Sequence, residues 1–300
     1  MGYRLQYWPV ALLVRLMGLL PRPMAHGAGI MIGGLVYYLH PRLRRVGRRN
    51  LEIALPEKTA AERRKILRGV YVSLGRLLGE ACLFPRYTRE NAAAIAVYQG
   101  FENFEAAQQR GKGVLLLTAH LGGWEVGSFF HALQGHPMQI VVRPLDNPYV
   151  DALVARYRGL HGNSMIAKQE FARGLIAAMR RNETVGILMD TNMTPPPQGV
   201  FVDFFGVAAC AASGLARIAL HTGATVVPAF TIWDAVLRKY RVEFDRPVDL
   251  VRTGDDDADA VANTAKFTGV IESYVRRYPE QWLWVHRRWK TRPPGQPPLY

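Results

Sequence analysis

Short apolar runs alternate with helix-patterned segments along most of this chain. The run VLLLTA at 114–119 is continuously apolar, which is typical of a strand buried on both faces of a sheet. Similar patterning predicts further strands at 139–143, 184–190, 225–232 and 240–244, the last of them an edge strand. Helices are predicted at 59–82, 101–110, 124–134, 147–160, 169–181, 211–222 and 258–278. This alternation predicts an α/β fold with a mainly parallel central sheet flanked by helices.

Two apolar runs, 9–20 and 24–39, precede this pattern and are separated by Pro21-Arg22-Pro23. Neither reaches the roughly 20 apolar residues that span a bilayer, and the prolines would break a continuous helix. Five arginines follow within 42–49, as in segments held at the cytoplasmic face of an anionic membrane. We therefore predict a membrane anchor over 1–40 and one domain over 41–300. The anchor's form stays open: one tilted helix, a re-entrant pair or two interfacial helices. A hydrophobic hairpin packed on the protein's own core is the alternative.

The excess of basic residues indicates which classes of partner this chain could bind. Lys and Arg number 38 against 24 Asp and Glu, a formal net charge of +14. Such an excess favours polyanions: an anionic membrane surface, a phosphorylated substrate, an acidic carrier protein or nucleic acid. The two cysteines, Cys82 and Cys210, are far apart and outside any CxxC pair. This argues against a disulfide scaffold and a zinc–cysteine site, and no metal is predicted.

Three polar residues follow predicted strands, at the edge where open α/β sheets bind ligands: His120, Arg143 and Asp190. The first opens the segment HLGGWE, which ends at Glu125. Two side chains five residues apart on one helix diverge by about 140°, so His120 and Glu125 meet only if Gly122 and Gly123 form a turn. Those glycines would also let a substrate approach the backbone. The free N–H groups where the next helix begins could hold an anionic oxygen.

These motifs resemble a known family. AHLGGWE at 119–125 looks like the His-x4-Glu motif of the late, lauroyl/myristoyl-type acyltransferases of lipid A biosynthesis, a branch of the lysophospholipid acyltransferase superfamily. Other stretches match the family in order: RPLDNP at 143–148, Arg158 four residues before Gly162, Asp190, GVFVDFFG at 199–206 and PEQWLWVHRRWK at 279–290. One departure is Asp190-Thr191, where the family often has Asp-Gln; the loop 192–197 that follows is this chain's own.

The resemblance implies a glycerol-3-phosphate acyltransferase-like fold and direct transfer of a fatty acyl chain, with no cofactor. The donor would be an acyl carrier protein thioester, or acyl-CoA, and the acceptor a hydroxyl of a lipid A precursor. His120 would be the general base and Glu125 would fix its tautomer. Substrate contacts would come from Arg143, Arg158, Asp190, Gly122 and Gly123. The expected partners are the lipid acceptor, acyl carrier protein and an anionic membrane surface, not nucleic acid, on the cytoplasmic side of the inner membrane.

Several alternatives stay open at this point. The acceptor could be another glycolipid or a lysophospholipid, and charge alone would also fit a basic membrane- or nucleic-acid-binding protein without catalysis. Serine hydrolases and zincins are disfavoured because the GxSxG and HExxH motifs are missing from the sequence. Cys82 and Cys210 are expected in the core. Phe201, Phe204 and Phe205 could line an acyl groove or belong to the core, and the tryptophan-rich segment 282–290 could meet lipid headgroups or close the fold.

Overall fold

The computed structural model describes residues 2–167, 170–196 and 198–300, and its elements follow the predicted alternation closely. The helices are α1 Gly2–Leu19, α2 Arg22–Leu39, α3 Pro41–Ala54, α4 Ala60–Cys82, α5 Phe101–Gln109, α6 Trp124–Leu133, α7 Pro148–Arg158, α8 Phe171–Arg180, α9 Gly214–Thr222 and α10 Asp256–Arg277. The strands are β1 Ala96–Gln99, β2 Val114–Thr118, β3 Gln139–Val142, β4 Ser164–Ala167, β5 Thr184–Leu188, β6 Gly199–Phe204, β7 Val207–Ala212, β8 Thr225–Asp234 and β9 Lys239–Phe244.

Seven strands form one sheet in the order β1-β9-β8-β2-β5-β3-β4. Every neighbouring pair is parallel except β8 with β9, so the predicted mainly parallel α/β fold is confirmed. Strand β2 lies between two parallel partners, β8 and β5. Its alternate side chains enter two different hydrophobic clusters: Leu115 and Leu117 belong to one, Val114 and Leu116 to the other. Burial on both faces explains the unbroken apolar run in the sequence.

Several details differ from the sequence prediction, which contains no helix at α3 and no strand at β1 or β4. Strand β9 is not an edge strand, because the four-residue strand β1 pairs with its outer side. Strands β6 and β7 form an antiparallel hairpin that was not predicted, and α9 begins at Gly214 instead of residue 211. The hairpin turn places Phe205 and Gly206 at φ 57° and 74°. Hairpin turns with two successive positive φ angles usually contain Asn-Gly or Asp-Gly. Here a phenylalanine occupies the first of these positions, so the sequence does not indicate the turn.

The second apolar run packs against the domain predicted to begin at residue 41. The backbones of helices α2 and α4 are in direct contact. The contact is so close that a Cβ added at Gly75 would overlap the carbonyl oxygen of Gly29. Beside this contact, the fully buried Glu80 binds Arg22 at 2.8 Å and His26 at 2.7 Å, and also accepts from Tyr87. Buried carboxylates are tolerated when several donors satisfy them, so this cluster ties the start of α2 to α4.

Within the described residues, none of the helices combines the length and the apolar character needed to cross a membrane.

The close packing of α2 on α4 predicts opposite effects for two glycine-to-alanine changes in these helices. Gly75→Ala should destabilise the protein by about 1–3 kcal/mol, because the new methyl group has no room between the backbones. Gly34→Ala on α2 is the matched control: a Cβ there meets no atom within 4 Å. Removing the conformational freedom of that helical glycine should stabilise the protein by up to about 1 kcal/mol. Urea denaturation of both variants in one detergent measures the difference, and equal shifts would contradict the packing described here.

Candidate active site

His120 and Asp190 meet because they follow neighbouring parallel strands. Strand β2 ends at Thr118 and β5 ends at Leu188, and these two residues are paired in the sheet. Nδ1 of His120 lies 2.8 Å from Oδ1 of Asp190, and the backbone N–H of His120 donates to Oδ2 at 2.9 Å. The predicted convergence of these two strand ends is therefore present. With Nδ1 occupied by the carboxylate, Nε2 is the ring nitrogen left for chemistry.

The surroundings of Asp190 keep it ionised. Only 4% of the residue is exposed, and the indole N–H of Trp282 donates to Oδ2 at 2.8 Å. Burial alone would raise the pKa of this carboxyl group, but the imidazole and the three donated hydrogen bonds hold it below its usual value. For His120 the balance is the reverse: burial would lower its pKa, and attraction to Asp190 raises it above the ordinary value. The pair thus resembles the histidine–aspartate part of a catalytic triad.

Glu125 binds Arg158 instead of the imidazole. It lies in the first turn of α6, and Arg158 is the last residue of α7. The guanidinium donates to both carboxylate oxygens, with Nε 2.9 Å from Oε2. The hydrogen bond expected between His120 and Glu125 is thus replaced by two pairs, His120–Asp190 and Glu125–Arg158. The charge of Glu125 nevertheless contributes to the raised pKa of His120, so both carboxylates act on the ring.

The glycine turn between His120 and Glu125 exists, but its amides serve the fold. Gly122 has φ 61°, and a Cβ there would overlap the carbonyl oxygen of Thr231 on β8. The N–H of Gly122 donates to the carbonyl of Gln281 at 2.9 Å, and that of Gly123 to the carbonyl of Thr231 at 2.7 Å. These two N–H groups are therefore engaged and do not point to an oxyanion, contrary to the expectation. The N–H groups in the first turn of α6 have no partner within the helix and remain as donors.

The C-terminal segment contributes more to this site than the sequence suggested. Leu283 donates its N–H to the carbonyl of His120 at 3.0 Å, and Trp282 forms a β-bridge with Leu121. Trp282, Trp284 and Trp289 are at most 1% exposed, so this segment closes the fold and its indoles do not reach lipid headgroups. The sequence gives no signal for the bond from Trp282 to Asp190, because it joins residues 92 positions apart.

The remaining candidate residues lie away from His120. Arg143 is exposed in the loop after β3, and β5 separates β3 from β2 in the sheet. Cys82 and Cys210 are buried as expected, and burial raises the pKa of the Cys82 thiol to about 11. Phe204 and Phe205 belong to the core. Among the residues that the structure describes, no cluster of His, Cys, Asp or Glu is suited to hold a metal ion.

A mainly apolar groove of about 710 Å³ runs beside the helix that carries Arg158. It lies between α1, Pro85 and the segment from α7 to Leu160, with Trp8, Leu12, Leu153 and Tyr157 in its walls. Arg15 and Arg156 add positive charge to its lining. Tyr157 in this lining immediately precedes Arg158 at the end of α7.

Known proteins with related sequences extend over nearly the whole chain. The family described as "Bacterial lipid A biosynthesis acyltransferase" matches residues 2–291. The chain is 30% identical to the lipid A biosynthesis lauroyltransferase of Escherichia coli (strain K12) and 28% identical to the palmitoleoyltransferase of the same strain. Each of these alignments covers 94% of this chain and 90% of the relative. The myristoyltransferase of that strain is 25% identical, over 82% of this chain and 75% of its own. The chain therefore belongs to the bacterial lipid A biosynthesis acyltransferase family, and it is an acyltransferase.

Proposed function

We propose that this enzyme transfers a fatty acyl chain from an acyl carrier protein thioester to a hydroxyl group of a lipid A precursor. The observation that carries the proposal is the His120–Asp190 pair at the end of the central strand, with Glu125 and Arg158 beside it. The relatives named above act in lipid A biosynthesis, which supports the acceptor class. The net charge of +14 favours an acidic carrier as the donor.

The chemistry follows from the tautomer that Asp190 imposes. Nδ1–H of His120 donates to Asp190, so Nε2 accepts the proton of the acceptor hydroxyl. The oxygen attacks the thioester carbonyl and forms a tetrahedral intermediate. Collapse of that intermediate breaks the carbon–sulfur bond, and the imidazolium returns the proton to the leaving thiolate. Acyl transfer is then direct, and the buried cysteines take no part in it.

Two sets of donors are available for the negative charge on the intermediate. The N–H groups in the first turn of α6 follow the catalytic turn directly, and the positive end of the helix dipole adds to their effect. Arg158 supplies a permanent cation, and its bond with Glu125 limits the positions the guanidinium can take. We assign Glu125 the role of holding Arg158 while adding negative charge near His120.

The lipid substrates and the membrane would meet the α1 and α2 side of the protein. The groove beside α7 is mainly apolar, as an acyl chain requires. Large apolar side chains are exposed along α1 at helical spacing, Leu5, Trp8, Leu12, Leu16 and Leu19, and along α2, Met24, Met31, Leu35 and Tyr38. Exposed stripes of this kind are typical of helices that lie in the membrane interface. We propose attachment in this way to the cytoplasmic face of the inner membrane.

The first test is acyl transfer itself. Membranes containing the protein are incubated with radiolabelled acyl–acyl carrier protein and a Kdo-bearing lipid A precursor, and the labelled lipid is quantified. His120→Ala should reduce transfer by about 10²–10⁴-fold, the range that a general base contributes. His221→Ala, an exposed histidine in the last turn of α9, is the control and should transfer normally. Transfer by His120→Ala at the parent rate would refute the mechanism. Transfer from acyl-CoA alone, or only to another glycolipid or lysophospholipid, would correct the substrate.

A second test separates the roles of Asp190 and Glu125. Activity requires neutral His120, so the rate falls as the pH falls through the pKa of the imidazole. Asp190 raises that pKa, and Asp190→Asn should therefore move the acid limb of the pH–rate profile to lower pH. Its maximal rate should fall by up to about 10⁴-fold, as in the equivalent change of a serine-protease triad. Glu125→Gln should shift the acid limb less, because its charge contributes less to the imidazole pKa than Asp190 does. The opposite order would assign the orientation of His120 to Glu125.

A further inference from the structure

A cationic cleft lies at the junction of α2, α3 and α4, in a part of the chain that the proposed chemistry does not use. Its volume is about 240 Å³. Four arginines line it, Arg44 and Arg48 from α3 and Arg63 and Arg64 from α4, together with Tyr37 and Glu52. The arginine that accompanies the catalytic histidine, Arg158, belongs to a different helix, α7.

Backbone oxygens hold two of these arginines without neutralising them. Nη1 of Arg44 donates to the carbonyl of Tyr37 at 2.7 Å, and Nη1 of Arg63 donates to the carbonyl of Leu55 at 3.2 Å. Arg48 and Arg64 are exposed, and neither forms an ion pair within the described residues. The one acidic side chain in the lining, Glu52, lies 3.7 Å from Arg49 of the same helix. The cleft therefore has a strong excess of positive charge, as a site for a multiply charged anion does.

The cleft adjoins the exposed apolar stripe of α2. That stripe runs through Met31 and Leu35 to Tyr38, which is 68% exposed. The guanidinium of Arg44 lies against the last turn of the same helix, bonded to the carbonyls of Tyr37 and Tyr38 and 5.3 Å from the centre of the Tyr37 ring. The apolar side chains of an interfacial helix enter the acyl region of a bilayer. Cationic side chains beside them then lie at the level of the lipid phosphates.

We propose that this cleft binds the phosphate group of an anionic membrane lipid and thereby fixes the orientation of the enzyme on the bilayer. Arginine pairs bind phosphate through parallel N–H donors, so a phosphomonoester headgroup with its two exposed charges fits better than a phosphodiester. The site is separate from the acyl-transfer centre and does not depend on which acceptor the enzyme uses.

The test compares two double variants with the same change of charge. Arg48→Gln/Arg64→Gln removes the two exposed arginines of the cleft. Arg173→Gln/Arg180→Gln removes two exposed arginines of α8 and is the control. The full-length protein is floated with vesicles of phosphatidylcholine alone, or with phosphatidic acid or phosphatidylglycerol added at equal charge. The preference for phosphatidic acid over phosphatidylcholine should fall by about 30-fold in the cleft variant, since each basic residue at the surface contributes about fivefold. The control should change by less than about threefold.

Other results would overturn the proposal. Equal losses in the two variants would show a general effect of charge, and no loss in the cleft variant would show that the cleft does not bind lipid. Equal flotation of the parent protein with all three kinds of vesicle, together with binding of inorganic phosphate that the cleft variant loses, would assign the cleft to a soluble anion. A cleft variant that floats normally but loses transfer only from acyl carrier protein, and not from acyl-CoA, would identify a carrier docking surface. Acyl transfer in detergent should be unchanged in the cleft variant, which separates failure of this proposal from failure of the proposed function.

Discussion

The parallel pairing of β2 with β5 is the constraint on which the site depends. Parallel strands place their carboxyl ends at the same edge, so the residues that follow them, His120 and Asp190, are brought within hydrogen-bonding distance by the sheet itself. A separation of 70 residues in the chain becomes 2.8 Å between Nδ1 and Oδ1. Since β2 has parallel neighbours on both sides, a shift in this register would break two ladders at once. The His120–Asp190 pair is therefore positioned by the register at the centre of the sheet.

The turn after His120 contains two glycines, whose backbone is conformationally free, so other segments must fix its conformation. Two partners from elsewhere supply that support: the carbonyl of Thr231 on β8 and the carbonyl of Gln281 in the C-terminal segment. The side chain of Gln281 also clamps the backbone of Trp233. The glycines permit this arrangement because any side chain at Gly122 would collide with β8. The sequence suggested that Gly122 and Gly123 leave space for a substrate. In the structure they mainly allow three backbone segments to pack together.

The sequence predicts those parts of this structure that rest on local patterns. Apolar periodicity correctly predicts helices α4 to α10 and strands β2, β3, β5, β8 and β9. Local sequence patterns do not predict a contact between two segments that are distant in the chain. Nothing local tells whether His120 turns to the carboxylate five residues ahead or to the one on the next strand. Sheet order decides it, because β5 lies beside β2, whereas Glu125 in the first turn of α6 pairs with Arg158. The hydrogen bond from Trp282 to Asp190 cannot be predicted from local patterns for the same reason.

Helix α4 packs on α2 on one side and on the C-terminal segment on the other. On one side it meets α2 backbone to backbone at Gly75 and Gly29. On the other, Gly69 packs directly on Glu280, whose neighbour Gln281 receives the N–H of Gly122. The contact of α4 with α2 leaves little slack, because it contains no side chain at Gly75 or Gly29 that could change its rotamer. Helix α4 therefore contacts both α2 and the segment whose Gln281 carbonyl holds the turn at Gly122.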